Sequence, residues 1–159
     1  MTSQIYLKNT VSGTIHILKD EIISERFIES YEDPNNLINI IPWYCDGGGY
    51  NGVQSLICFG KENNFIIEQT DRNLTNNDAE YIACLRAMCS CEDYDLIFSD
   101  SALVVNQVNG LWVCKADNLI KYCSWCMDFL KEKKLTLIWV SRDKNLAGVQ
   151  LDRLKKRKC

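Results

Sequence analysis

Between residues 37 and 70 three β-rich runs follow one another with only short breaks: Leu37–Asp46, Gly52–Gly60 and Asn64–Gln69. Consecutive strands joined by short turns pair antiparallel, because a parallel pair needs a long crossover. This stretch therefore predicts a three-stranded meander. After it the pattern changes. Asn73-Leu74-Thr75-Asn76-Asn77 is a cluster of helix-capping side chains, and it opens a helical pattern to about Cys91. Asp95–Ser99 is a short apolar strand and Ser101–Asn109 a short helix closed by Gly110. Ala116–Lys133 is a longer amphipathic helix, Leu135–Val140 a strand and Asn145–Lys158 a last helix with a basic end. The order βββ-α-β-α-α-β-α predicts an α/β fold, a mixed sheet with helices packed on its faces.

Composition bounds the rest. The chain has 159 residues, 47% hydrophobic and 25% charged, the size and apolar content of one folded domain with room for a small addition. No run approaches the roughly 18 apolar residues of a membrane span. Met-Thr-Ser-Gln-Ile-Tyr lacks the basic and apolar segments of a signal peptide, so a cytoplasmic location is expected. Nine cysteines, an odd number that falls mostly in apolar runs (Cys58, Cys84, Cys89, Cys123), read as reduced, small hydrophobic residues. Cys123 and Cys126 form a CxxC, but inside a helical pattern rather than the turn that zinc or redox chemistry uses.

The net charge of −3 is unevenly spread. The first forty residues hold three basic and six acidic groups, and the remaining 119 hold fifteen of each. Gln4–Asn9 and Thr14–Lys19 read as strands joined by Val-Ser-Gly, Asp20–Tyr31 as a helix, and Asp33-Pro34-Asn35-Asn36 as a break. Residues 1–38 are read as a small acidic extension and 39–159 as the main domain. With that balance, bulk positive charge is not what would hold a polyanionic partner.

Three acids stand where packing does not call for them. Asp46 ends the first strand of the meander, Glu80 lies in the first turns of the following helix, and Asp100 ends the apolar strand Leu96-Ile97-Phe98. Open sheets place ligands at the carboxyl ends of their strands. Singly, each acid has an ordinary explanation: a turn residue before glycines, a first-turn acid favoured by the helix dipole, and a helix cap. If the two strands are neighbours, Asp46 and Asp100 meet and Glu80 reaches them from the helix. Three converging carboxylates repel unless they take up protons or a cation sits among them. An all-oxygen set suits Mg²⁺ or Mn²⁺ rather than zinc.

These residues also carry a resemblance. Tyr44-Cys45-Asp46-Gly47-Gly48, Thr75-Asn76-Asn77-Asp78-Ala79-Glu80, Leu96-Ile97-Phe98-Ser99-Asp100-Ser101 and Ile138-Trp139-Val140-Ser141-Arg142-Asp143-Lys144-Asn145 resemble the four motifs of type 1 ribonuclease H, in the same element order, over about residues 40–158. The resemblance implies a ribonuclease H-like five-stranded sheet, three strands antiparallel and two parallel. It implies endonucleolytic hydrolysis of the RNA strand of RNA–DNA hybrids, with two Mg²⁺ or Mn²⁺ ions held by Asp46, Glu80 and Asp100. By the same match Thr75 is a DNA-phosphate contact, and Asn76 and Asn77 read the 2′-hydroxyls that separate RNA from DNA. Gly47, Ser101, Arg142 and Asn145 are further substrate-facing positions.

The chain departs from the family pattern in three places. The fourth carboxylate, expected four residues after Asn145, is Val149, and Asp152 is the proposed substitute on nearly the same helix face. The loop before the last helix has no histidine; the single His16 lies in the extension. Arg142 or Lys144 is the candidate to touch phosphate there, with solvated loop charge as the alternative. The basic helix and loop that some relatives carry is replaced by Leu111-Trp112-Val113-Cys114-Lys115-Ala116, with Trp112 read as a cap on the core and stacking near a deoxyribose as the alternative. The basic residues Arg153, Lys155, Lys156, Arg157 and Lys158 read as complementing the dipole of the last helix, with a substrate contact as the alternative. The acidic extension lacks the basic, aromatic surface of a hybrid-binding module and reads as a protein-contact or stabilising element. Two alternatives stand beside the hybrid endonuclease: a weakly catalytic ribonuclease H-like binding module of a larger assembly, and another nuclease of the same fold.

Overall fold

The computed structural model describes residues 4–49, 52, 54–70 and 74–157, and its chain falls into two compact units, Met1–Pro42 and Trp43–Cys159. Asn73 and Lys158, and the side chains of Lys156 and Arg157, lie outside the described residues.

In the first unit β1 (Ile5–Asn9) lies between β2 (Ile15–Leu18) and β3 (Leu37–Ile40), antiparallel to both. Asn9 shapes the β1–β2 turn by accepting from the Val11 and Ser12 amides, and Gly13 closes it at φ +77°. Asp20 caps α1 (Glu21–Ser30) through the Ile23 amide, and the helix packs aromatic on aromatic: the His16 ring lies 4.7 Å from Phe27 and 5.7 Å from Tyr31.

The run Leu37–Asp46 is two strands, not the single one that its composition suggests. β3 ends at Ile40 and belongs to the first sheet; β4 (Trp43–Gly48) starts the second. Pro42 stands between them, with no amide to continue a ladder.

The second unit is a five-stranded sheet in the order β6-β5-β4-β7-β8, with β5 (Ser55–Lys61), β6 (Asn64–Thr70), β7 (Leu96–Ser99) and β8 (Thr136–Trp139). β4–β5 and β5–β6 are antiparallel; β4–β7 and β7–β8 are parallel. The helices are α2 (Asn76–Ser90), α3 (Ala102–Val108), α4 (Asp117–Glu132) and α5 (Leu146–Arg157). The mixed sheet flanked by helices is the expected one.

Alternation along the strands divides the core. Cys45, Ile57, Phe59 and Ile97 pack with Ala79, Ala83, Ala87 and Met88 of α2 and with Leu119, Cys123 and Cys126 of α4. Cys58, on the other face of β5, packs with Ala147 and Leu151 of α5. None of the eight described cysteines is bridged, and six are buried. Burial pushes the Cys58 thiol up to about 12, so it stays a protonated apolar filler. Cys89 is exposed, contrary to its apolar surroundings in sequence. No described helix is long and apolar enough to cross a membrane.

Candidate active site

The parallel register of β4 and β7 pairs Cys45 with Ser99. Asp46 and Asp100 follow these partners directly, so two adjacent strands present a carboxylate at one level. Beside β4 the sheet changes from parallel to antiparallel pairing, the kind of position where open sheets bind ligands.

The third carboxylate comes from α2, and glycines set its distance. A Cβ on Gly47 would stand 2.3 Å from the Ala79 carbonyl carbon and oxygen, and one on Gly49 would stand 2.6 Å from the Asn76 amide nitrogen. Bare backbone at both positions lets the first turns of α2 press onto the strand end. Gly47 N–H donates to Glu80 Oε1 at 2.9 Å and Gly49 N–H to Asn76 Oδ1 at 2.7 Å. The helix start is fixed by a capping box: Asp78 N–H donates to Thr75 Oγ1 at 3.1 Å, and Thr75 N–H donates to Asp78 Oδ2 at 3.0 Å.

One ligand atom each from Asp46, Glu80 and Asp100 lies within 4.8 Å of the others, a group able to hold a metal ion. Burial raises the pKa of Asp46, against hydrogen bonds from Glu80 and Arg142 that lower it. Burial, then a hydrogen bond to Asp46 and the charge of Asp46, push Glu80 up to about 9. The cluster by itself holds a proton on Glu80 at neutral pH. The Asp46 side chain is 1% exposed, and its Oδ1 has no aligned hydrogen bond. A buried carboxylate oxygen without an aligned hydrogen bond, in an all-oxygen set, fits a hard divalent cation such as Mg²⁺ or Mn²⁺.

Arg142, from a 3₁₀ turn between β8 and α5, also reaches this cluster. Its Nη1 lies 2.6 Å from Asp46 Oδ1 and 3.0 Å from Asp100 Oδ2, and its Nη2 lies 3.1 Å from Asp152 Oδ1. Burial works against its charge, but Asp46 and Asp100 outweigh that and raise its pKa. The structure thus brings Asp152 toward the three acids through Arg142, whereas Val149 is half-buried on the same helix.

The remaining sequence candidates separate. Gly47, Asn76, Glu80, Asp100, Ser101 and Arg142, with Gly48 and Lys155, line a depression of about 360 Å³. Thr75 and Asn77 are exposed at the start of α2. Ser101 Oγ also caps α3 through the Val104 amide. Asn145 is different. It is 0% exposed, its Nδ2 donates to the Cys45 carbonyl at 2.9 Å, and its Oδ1 accepts from the Ala147 amide at 3.2 Å. The expected substrate contact at Asn145 is therefore not offered here; the residue ties the start of α5 to the strand position before Asp46. Trp112 is 50% exposed rather than in the core: Gly110, at φ +79°, ends α3, and the Leu111 and Trp112 amides fold back onto the Asn106 carbonyl.

Gly148 escaped the sequence reading. A Cβ there would stand 2.9 Å from Arg142 Nη1 and 3.0 Å from its Cζ. Glycine inside a helix costs about 1 kcal/mol against alanine, so a glycine one turn into a predicted helix was the available signal of a close approach.

No family model matches the chain. Solved structures do. The LC11 ribonuclease H1, isolated from compost by a metagenomic approach, is 24% identical with a TM-score of 0.61, over 72% of this chain and 93% of that one. The same enzyme in complex with an RNA/DNA hybrid matches at 22% identity and TM-score 0.58, over 67% of this chain and 88% of that one. The ribonuclease H1 of Halobacterium salinarum matches at 21% identity and TM-score 0.58, over 67% and 89%. With the five-stranded order, these similarities establish that the second unit has the ribonuclease H-like fold of the type 1 enzymes.

Proposed function

We propose that the chain is an endoribonuclease that hydrolyses the RNA strand of RNA–DNA hybrids with divalent cations, two per site. The observation that carries this reading is the convergence of Asp46, Glu80 and Asp100 around a buried carboxylate oxygen with no aligned hydrogen bond. The hybrid bound to LC11 ribonuclease H1 supports the substrate class.

Asp46, Glu80 and Asp100 would hold the ions, and Asp152, paired with Arg142 Nη2, would keep the guanidinium beside them. Bound there, the ions would activate water at neutral pH and would neutralise the charge that develops on the phosphodiester. Glu80 would serve them as a carboxylate, so its proton would have to leave for the site to fill. Gly47 holds Glu80 in place through its amide. Thr75, Asn76 and Asn77, exposed at the positive end of α2, face the backbone and 2′-hydroxyls of the hybrid, and Ser101 and Arg142 line the approach to the acids. Asn145 acts from beneath, fixing the strand that carries Asp46.

The test is cleavage of a labelled RNA–DNA hybrid with Mg²⁺ or Mn²⁺, beside Asp100→Asn. Internal cuts in the RNA strand that need metal and fall at least about a hundredfold in the variant are expected. The position of Arg142 on the acids favours a second reading, a hybrid-binding module of weak catalysis. Hybrid binding without cuts selects it, and equal cutting of double-stranded DNA selects a different nuclease.

A further inference from the structure

Arg142 touches the same atoms that a cation would take. Its Nη1 contacts Asp46 Oδ1, the buried oxygen without an aligned hydrogen bond, and Asp100 Oδ2. An ion coordinated to those oxygens would meet a guanidinium nitrogen at close range, charge against charge. The arginine also lies in a place shaped for it. Gly148 leaves the room that any other residue on that turn of α5 would fill, and Asp152 holds the outer nitrogen from the next turn. Asp152 is half-exposed, so the guanidinium keeps a carboxylate partner while Nη1 lets go of the inner two.

We propose that Arg142 is a tethered counter-cation that competes with divalent metal for Asp46 and Asp100, and so sets the metal concentration at which the site fills. The inference rests on the metal-dependent reading above, and it concerns filling of the site before any nucleic acid is present.

The test is calorimetric titration of the full chain with Mn²⁺, without nucleic acid, for the unaltered protein, Arg142→Gln and Gly148→Ala. Removing the guanidinium charge is expected to tighten Mn²⁺ binding by about tenfold, the usual scale of coupling between two ligands of one site. Gly148→Ala keeps every charge and favours the helix, but its Cβ pushes the guanidinium off the acids. It is expected to tighten binding in the same direction, and it guards against misfolding of the charge-removing variant. Thermal melts in EDTA and in Mn²⁺ give a second readout: the gain from Mn²⁺ is larger in both variants than in the unaltered chain. Mn²⁺ binding that is equal or weaker in both variants overturns the competition and leaves the metal site standing. Absence of Mn²⁺ binding in all three proteins overturns the metal-site reading and this inference with it.

Discussion

The starts of α2 and α5 both clamp β4, from opposite faces and by opposite means. At α2 the strand gives way: Gly47 and Gly49 have no side chains, and the helix backbone comes down onto them. At α5 the helix reaches in: Asn145 buries its amide to bond the Cys45 carbonyl. The first clamp leaves Thr75, Asn76 and Asn77 exposed even though Asn76 Oδ1 accepts from Gly49 N–H and Thr75 caps the helix, while the second buries its asparagine completely. Similar sequence signals, an asparagine-rich or asparagine-headed helix start, therefore produce a solvent-exposed edge in one place and a hidden strut in the other.

The sharpest break of this comparison is at the glycines. Gly47→Ala places a methyl group 2.3 Å from backbone atoms of Ala79, and backbone cannot rotate away. A loss of about 3 kcal/mol in urea unfolding is expected, with Glu80 pushed off the cluster. Gly48→Ala, one residue on, meets nothing nearer than Lys155 Nζ at 3.9 Å and should change stability by less than about 0.5 kcal/mol. Equal effects at the two positions would mean that α2 does not rest on the strand as described.

The α5 clamp is tested at Asn145. Asn145→Ala deletes a buried amide and leaves the Cys45 carbonyl without it, for an expected loss of about 2 kcal/mol. Because the side chain is out of solvent, KM for a hybrid should hold while the turnover falls with the displacement of Asp46. A raised KM at unchanged stability would return Asn145 to the substrate surface and erase the contrast between the two helix starts.

This contrast also marks where the sequence was legible. Asp46, Glu80 and Asp100 could be grouped from sequence because each stands at the end of an apolar run or in a helix start, and strand pairing does the rest. The mixed sheet followed from run lengths and order. Asn145 was read by motif, and a motif does not say how deep a side chain lies; depth is set by α5 packing Ala147 and Leu151 onto Cys58. The two strands hidden in Leu37–Asp46 were separable at Pro42, but the continuous β-rich composition masked it. Arg142 was placed near the substrate for its charge; its contacts with three acids depend on a 3₁₀ turn and on Gly148, and neither has a periodic signature.

The smallest effect expected is one proton. The α2 clamp carries a titratable group into the cluster and the α5 clamp carries a neutral amide, so pH dependence of metal uptake belongs to the α2 side. Burial and Asp46 hold Glu80 protonated well above its ordinary 4.5, to about 9. In the metal-free protein its contribution to stability is full below the unfolded value and is lost as pH rises through the folded one. A divalent ion needs the carboxylate, so between those values its entry must expel the proton, and its affinity rises with pH by about tenfold per unit at most. Arg142 stays charged throughout and cannot be the source. Mn²⁺ titrations at pH 7 in two buffers of different ionisation enthalpy should show close to one proton released per chain. Glu80→Gln should abolish that release, while Asn145→Ala should leave it unchanged. A release that survives Glu80→Gln would place the proton on another group and deny the α2 side its electrostatic distinction.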